Sequence, residues 1–161
     1  MIKGIIQKLW IRNAFSKFVG KKEVDEILNG GLEKPEEREC AFILIEIIQN
    51  DLFETTFSNL IEYSNNKNLS LDIYGTIIQL FTSKVLWNKD KDINIKNIIN
   101  EYINNIPENI KENIRCVYGI DNAKIGLFGP NERLAYMFLL NNYYKKILEI
   151  DKLKNGEIKE I

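Results

Sequence analysis

Histidine is absent from the 161-residue chain. That removes catalysis by Ser–His–Asp or Cys–His sets, and with it the commonest zinc ligand. There are only two cysteines, Cys40 and Cys116. Their spacing is unlike that of a metal site, and both sit in apolar runs, so they read as buried structural thiols. No stretch is long and apolar enough to span a bilayer. The opening MIKGIIQKLWIRNAF is broken by Lys3, Lys8 and Arg12, and nothing in it reads as a signal peptide. Charge of one sign is also missing. The balance is 22 basic against 23 acidic residues, a net −1. It gives no electrostatic reason to expect nucleic acid or an anionic membrane as partner. These absences lead to the expectation of a soluble cytoplasmic protein with no cofactor.

What is present is enough apolar sequence, 45% of residues, for one sizeable core and so most simply one domain. The spacing predicts an amphipathic helix over residues 2–19 and a short helix over 21–28, ended by Asn29, Gly30 and Gly31. A charged connector, 32–39, follows. Cys40 to Ile48 is a near-continuous apolar run, the pattern of a strand buried on both faces. Its one charge is Glu46. Asn50 or Asp51 can cap a helix whose face is Phe53, Phe57, Leu60 and Ile61, and Asn65, Asn66 and Asn68 mark a loop. Leu69–Tyr74 and Thr76–Thr82 read as strands hinged near Gly75. After a polar segment, 88–92, a helix over 93–106 is stopped by Pro107. Ile114–Tyr118 and Lys124–Phe128 read as strands around a turn at Gly119–Asn122. A second turn, Gly129–Asn131, precedes a strand at Leu134–Leu139. Asn141 to Ile150 reads as a helix and the tail from Lys152 as a frayed polar end. The order implies an α+β fold, a ferredoxin-like, largely antiparallel sheet with helices on one face. Residues 1–31 read as a helical leader and 32–161 as the domain.

Two stretches resemble a known family. Arg12, Phe15, Phe18, Val19, Glu23, Val24, Asp25, Glu26, Ile27 and Leu28, then Arg38 and Glu39, are similar to the opening of class III adenylate/guanylate cyclase domains. Gly119, Gly126, Phe128, Gly129, Arg133 and Tyr136 fall in an order similar to the family's late motif. The resemblance covers roughly residues 12–150 and implies the cyclase fold.

The family's chemistry does not carry over with it. Its two metal-binding aspartates correspond to Glu46 and to Gly75 or Thr76. A glutamate is longer than an aspartate, and neither of the other two offers a carboxylate. The base-selecting positions fall near Leu71 and at Met137, which cannot hydrogen-bond a base edge. The transition-state asparagine and arginine fall near Tyr144 and Leu148. Glu46 and Arg133 remain as possible ligand contacts, although Glu46 is better read as a strand-end carboxylate paired with a Lys or Arg, and Arg133 as pairing with a nearby acid. The resemblance therefore implies a pseudoenzyme, an inactive cyclase-like domain acting through protein–protein interaction. Its expected partners are a second copy, as a homodimer, and a protein of the same operon. The alternatives are a metal-free sensor of a small ligand or nucleotide and, less favoured, an active cyclase.

Overall fold

The computed structural model describes residues 19–30, 34–83, 95–128 and 135–161. The expected leader helix lies outside them apart from residue 19. So do Arg133, the segment 88–92 and the turn at Gly129–Asn131.

Strand β1, Glu36–Ile47, is the middle of the sheet. Its odd residues Ala41, Ile43, Ile45 and Ile47 enter one core, and Cys40, Phe42 and Leu44 enter another on the opposite face. Burial on both sides is why the run is almost unbroken in apolar character. Strand β3, Ile77–Ser83, lies antiparallel on one edge of β1, and β4, Ile114–Phe128, on the other. Outside them lie β2, Ser70–Tyr74, and β5, Ala135–Leu140. The mixed α+β class and the mostly antiparallel sheet are those expected from the order of elements.

Helix α1 spans Lys21–Leu28, α2 Phe53–Lys67 and α3 Ile95–Asn105. A one-turn α4, Glu108–Lys111, starts at Pro107, and α5 covers Tyr143–Asp151. The long helices α2 and α3 share one face, through Leu60 on α2 and Ile98, Ile99 and Tyr102 on α3. Ile27 of α1 and Ile147 and Ile150 of α5 pack against the other face. The expected one-sided helix layer therefore holds for α2 and α3 only.

Four local expectations change. The single strand β4 replaces two strands around a turn. Its pairing with β1 runs unbroken from Glu36↔Ile125 to Ile47↔Ile114, and long-range pairing overrides the turn propensity of Asp121–Asn122. Gly119 is required for a different reason. A Cβ there would lie 2.2 Å from the Ile161 carbonyl oxygen. The tail is not frayed, because Ile158–Glu160 forms β6, parallel to β4. A 3-10 turn, Asn50–Leu52, precedes α2, which has no side-chain cap and runs on through Asn65 and Asn66 to Asn68 in the left-handed region, φ 56°.

Helix α1 is tied to the sheet by described contacts. Val19 and Val24 are buried. The Gly20 N–H donates to Ser70 Oγ at 2.8 Å and the Lys21 N–H to Asn68 Oδ1 at 2.6 Å. Arg38 on β1 forks onto the Glu26 carboxylate at 2.9 and 2.5 Å. A fork of this kind fixes geometry as well as charge.

Candidate functional site

Glu46 sits near the end of β1, with Arg115 of β4 opposite it on one side and Ile77 of β3 on the other. The next residue, Ile47, donates its N–H to the Thr76 carbonyl at 3.2 Å. The fold thus brings Glu46 beside the β2–β3 turn, where Gly75 adopts φ +63°. That proximity is what the resemblance implies. The chemistry at this point is different. Arg115 donates from Nε to Glu46 Oε2 at 2.8 Å, and its Nη2 lies 2.6 Å from the same oxygen. Arg115 Nη1 also donates to the Leu153 carbonyl at 3.4 Å. The strand-end carboxylate is therefore paired with an arginine. Its charge is met by a cation built into the sheet, and no second carboxylate comes from Gly75 or Thr76. These residues do not fit a two-metal site. Among the described residues, no three His, Cys, Asp or Glu side chains cluster so as to hold a metal.

The remaining sequence-derived positions are dispersed. Leu71 is buried in the core beneath α2 and α3. Met137 pairs with Gly126 across β4–β5. Tyr144 and Leu148 lie on α5, on the opposite side of the sheet from Leu71, and are 73% and 41% exposed. The structure does not bring these four together within one chain.

A different set of α5 residues converges. Asn142 and Lys146, one helical turn apart and two residues ahead of Tyr144 and Leu148, line a cleft of about 460 Å³. Phe42, Ile120 and Ile161 also line it. Lys146 is only 8% exposed. Its ammonium bonds to the Asp121 carboxylate and to the Asn141 carbonyl, the latter at 2.7 Å, and lies 5.4 Å from the centre of the Phe42 ring. Burial pushes the Asp121 pKa up. Lys146 and the Asn122 N–H outweigh that, and the carboxyl is held below its usual value. At the cleft rim Glu149 is bonded by Lys152 and Lys159, which hold its pKa down at about 2.

Sequence reasoning missed the Asp121–Lys146 pair, although one signal was available. Lys146 interrupts the apolar stripe Tyr143, Ile147 and Ile150 at helical spacing, and a lysine on a buried face needs an acid. That acid was hidden in residues that read as a turn. Cys40 and Cys116 are buried and free of disulfide. Burial raises the Cys116 thiol to about 12, so it is inert as a nucleophile.

No protein-family model and no curated protein matches the chain. Solved structures do. A bacterial light-regulated adenylyl cyclase superposes with a TM-score of 0.57 at 12% identity, over 93% of this chain and 51% of that one. The adenylyl cyclase CyaB from P. aeruginosa gives 0.50 at 12% identity, over 78% and 77%. The guanylate cyclase domain of RhGC from Catenaria anguillulae, solved in complex with GTP, gives 0.50 at 11% identity, over 76% and 78%. The chain spans about half the length of the light-regulated enzyme. Its fold is that of the class III adenylyl/guanylyl cyclase catalytic domain. At such identities the likeness concerns the fold alone. Among the described residues no helix is long and apolar enough to cross a membrane.

Proposed function

We propose that the chain is a cyclase-fold domain that does not cyclise nucleotides and works by association, with a second copy of itself and with a protein partner. One observation carries the reading. Two charged side chains at or close to the places where the resemblance sets catalysis are each closed by an internal partner, Glu46 by Arg115 and Lys146 by Asp121. A carboxylate held by a guanidinium is a poor ligand for a divalent ion. A lysine held by an aspartate has little charge left for a phosphate. Exposed Tyr144 and Leu148 support the associative part. They form an apolar pair at i, i+4 on the outer face of α5, and aromatic anchors of this kind dominate interfaces.

The test is turnover. Purified protein given ATP or GTP with magnesium or manganese is expected to release no cyclic nucleotide. Metal-dependent product that vanishes in Glu46→Ala would overturn the reading. The protein partner is sought by pull-down, beginning with the products of neighbouring genes.

A further inference from the structure

Two places in the chain put asparagine before glycine, Asn29–Gly30 and Asn155–Gly156. In such a pair the backbone nitrogen of the glycine can attack the side-chain amide of the asparagine, because glycine has no Cβ to obstruct the approach. A bond forms between the glycine nitrogen and the asparagine Cγ. Ammonia leaves, carrying the proton that the nitrogen gives up, and a cyclic imide remains. Water then opens the ring to aspartate or to isoaspartate. The only co-reactant is water.

Both asparagines are exposed, and both glycines hold a positive φ, 86° at Gly30 and 81° at Gly156. What differs is how the attacking nitrogen is held. The Gly156 N–H donates to the Ile114 carbonyl of β4 at 2.8 Å. The residues on either side are held as well. The Lys154 N–H donates to Glu157 Oε2 at 2.8 Å, and the Glu157 carbonyl accepts from the Cys116 N–H at 3.0 Å. Freeing the Gly156 nitrogen therefore means peeling the lead-in to β6 away from β4. The Gly30 N–H donates to the Ile27 carbonyl at 3.1 Å, a bond inside the last turn of α1 itself. Helix ends open at little cost, whereas pairing to a sheet strand opens at a higher one.

We propose that Asn29 deamidates in the folded chain while Asn155 is spared, and that the change loosens α1. The new carboxylate stands at the C-terminal end of the helix, where the macrodipole disfavours negative charge. It follows Asp25 and Glu26 at helical spacing, so it joins two carboxylates on one face. It therefore opposes Glu26, through which Arg38 ties α1 to β1.

The full chain is kept in mildly alkaline buffer, folded in one sample and unfolded by urea in another. Peptide mapping by mass spectrometry follows both asparagines with time. In urea the two should convert at rates within about twofold of each other, since each is followed by glycine. In the folded chain Asn29 should convert about tenfold or more faster than Asn155. Asn155 converting as fast as Asn29 would overturn the proposal. So would an Asn29 that stays intact while the urea sample goes to completion. Asn29→Gln, whose longer side chain does not close this ring, is the control for the effect on α1. After the same incubation, hydrogen exchange of the α1 amides should be faster in the parent than in Asn29→Gln. Equal exchange, with Asn29 converted, would overturn the loosening of α1. Neither readout depends on cyclic-nucleotide synthesis.

Discussion

Arg115 reaches from β4 to Glu46 on β1 with two nitrogens, at 2.8 and 2.6 Å, across a directly opposed pair of residues. Both side chains keep about a fifth of their surface in water, so the pair is neither a free surface bridge nor a dry one. Arg115→Met should therefore destabilise the domain by about 1–2 kcal/mol, chiefly by leaving a half-buried carboxylate without a partner. The double variant Glu46→Gln with Arg115→Met should recover part of that loss. Urea denaturation measures both. If the double variant is no more stable than Arg115→Met alone, the penalty comes from lost packing of the guanidinium stem and not from charge.

Acid should act at the α5 corner. Asp121 and Glu149 both have folded pKa values below their ordinary ones. A carboxyl depressed in this way adds stability that is complete above its unfolded pKa and is lost as pH falls through the folded value. The melting temperature should stay level down to the ordinary carboxylate range and then fall as pH approaches about 2, where Glu149 titrates. Lys146→Met removes one of the two groups that lower the Asp121 pKa, leaving the Asn122 N–H, and should make the acid limb shallower. An equally steep limb in that variant would rule out the pair as its source.

Gln79 is fully buried on β3, and among the described residues neither its amide nitrogen nor its oxygen has a hydrogen-bond partner. A buried amide left so costs roughly 1–3 kcal/mol relative to one that is bonded. Gln79→Met has a similar shape and no such penalty. It should raise the melting temperature. A lower value would mean that the amide is satisfied, for instance by an ordered water.

Gly119→Ala puts a methyl group against the Ile161 carbonyl oxygen, so the end of β6 has to shift. Overpacking of this kind typically costs about 1–3 kcal/mol. The damage should be local. Hydrogen exchange should speed up at the Gly156 and Ile161 amides, which bond to Ile114 and Tyr118, while β1–β3 amides keep their protection. Uniform loss across the sheet would show that β6 is integral to the whole fold.

Tyr144→Asp should abolish self-association and leave the monomer folded, because the ring is exposed. Sedimentation velocity and circular dichroism together decide this. A dimer worth the name should bury about 1,200 Å² or more in total. A parent protein that is monomeric at high micromolar concentration would remove the associative reading.

The parts of the fold that could be read from sequence were those with one dominant signal. The Cys40–Ile48 run, the stripe from Ile98 to Ile106, and Gly75 between two apolar segments each had one physical explanation. The unreadable parts were decided at long range. Asp121 and Asn122 carry turn propensity, yet twelve consecutive pairs with β1 keep them extended. Ile158–Glu160 has too few apolar residues to declare a strand until β4 offers it an edge. The pairing of Glu46 with an arginine was legible as a need, since a lone carboxylate in an apolar strand is costly. That the arginine is Arg115 was not. The four positions Leu71, Met137, Tyr144 and Leu148 were set by counting along a resemblance, and the fold leaves Leu71 in the core on one face of the sheet and Tyr144 and Leu148 exposed on α5 on the other.

The central position of β1 also bears on how the chain folds. The β2–β3 and β4–β5 pairs join neighbours in sequence. Strand β1 must wait for β3 on one edge and for β4, made much later, on the other. Non-local pairing of this sort slows folding, because long loops close before any contact rewards them. During synthesis the most apolar segment, Cys40 to Ile48, therefore emerges early and stays half-paired until β4 is complete. A nascent chain in that condition invites aggregation and chaperone capture. Recombinant yield should improve when growth temperature and synthesis rate are lowered.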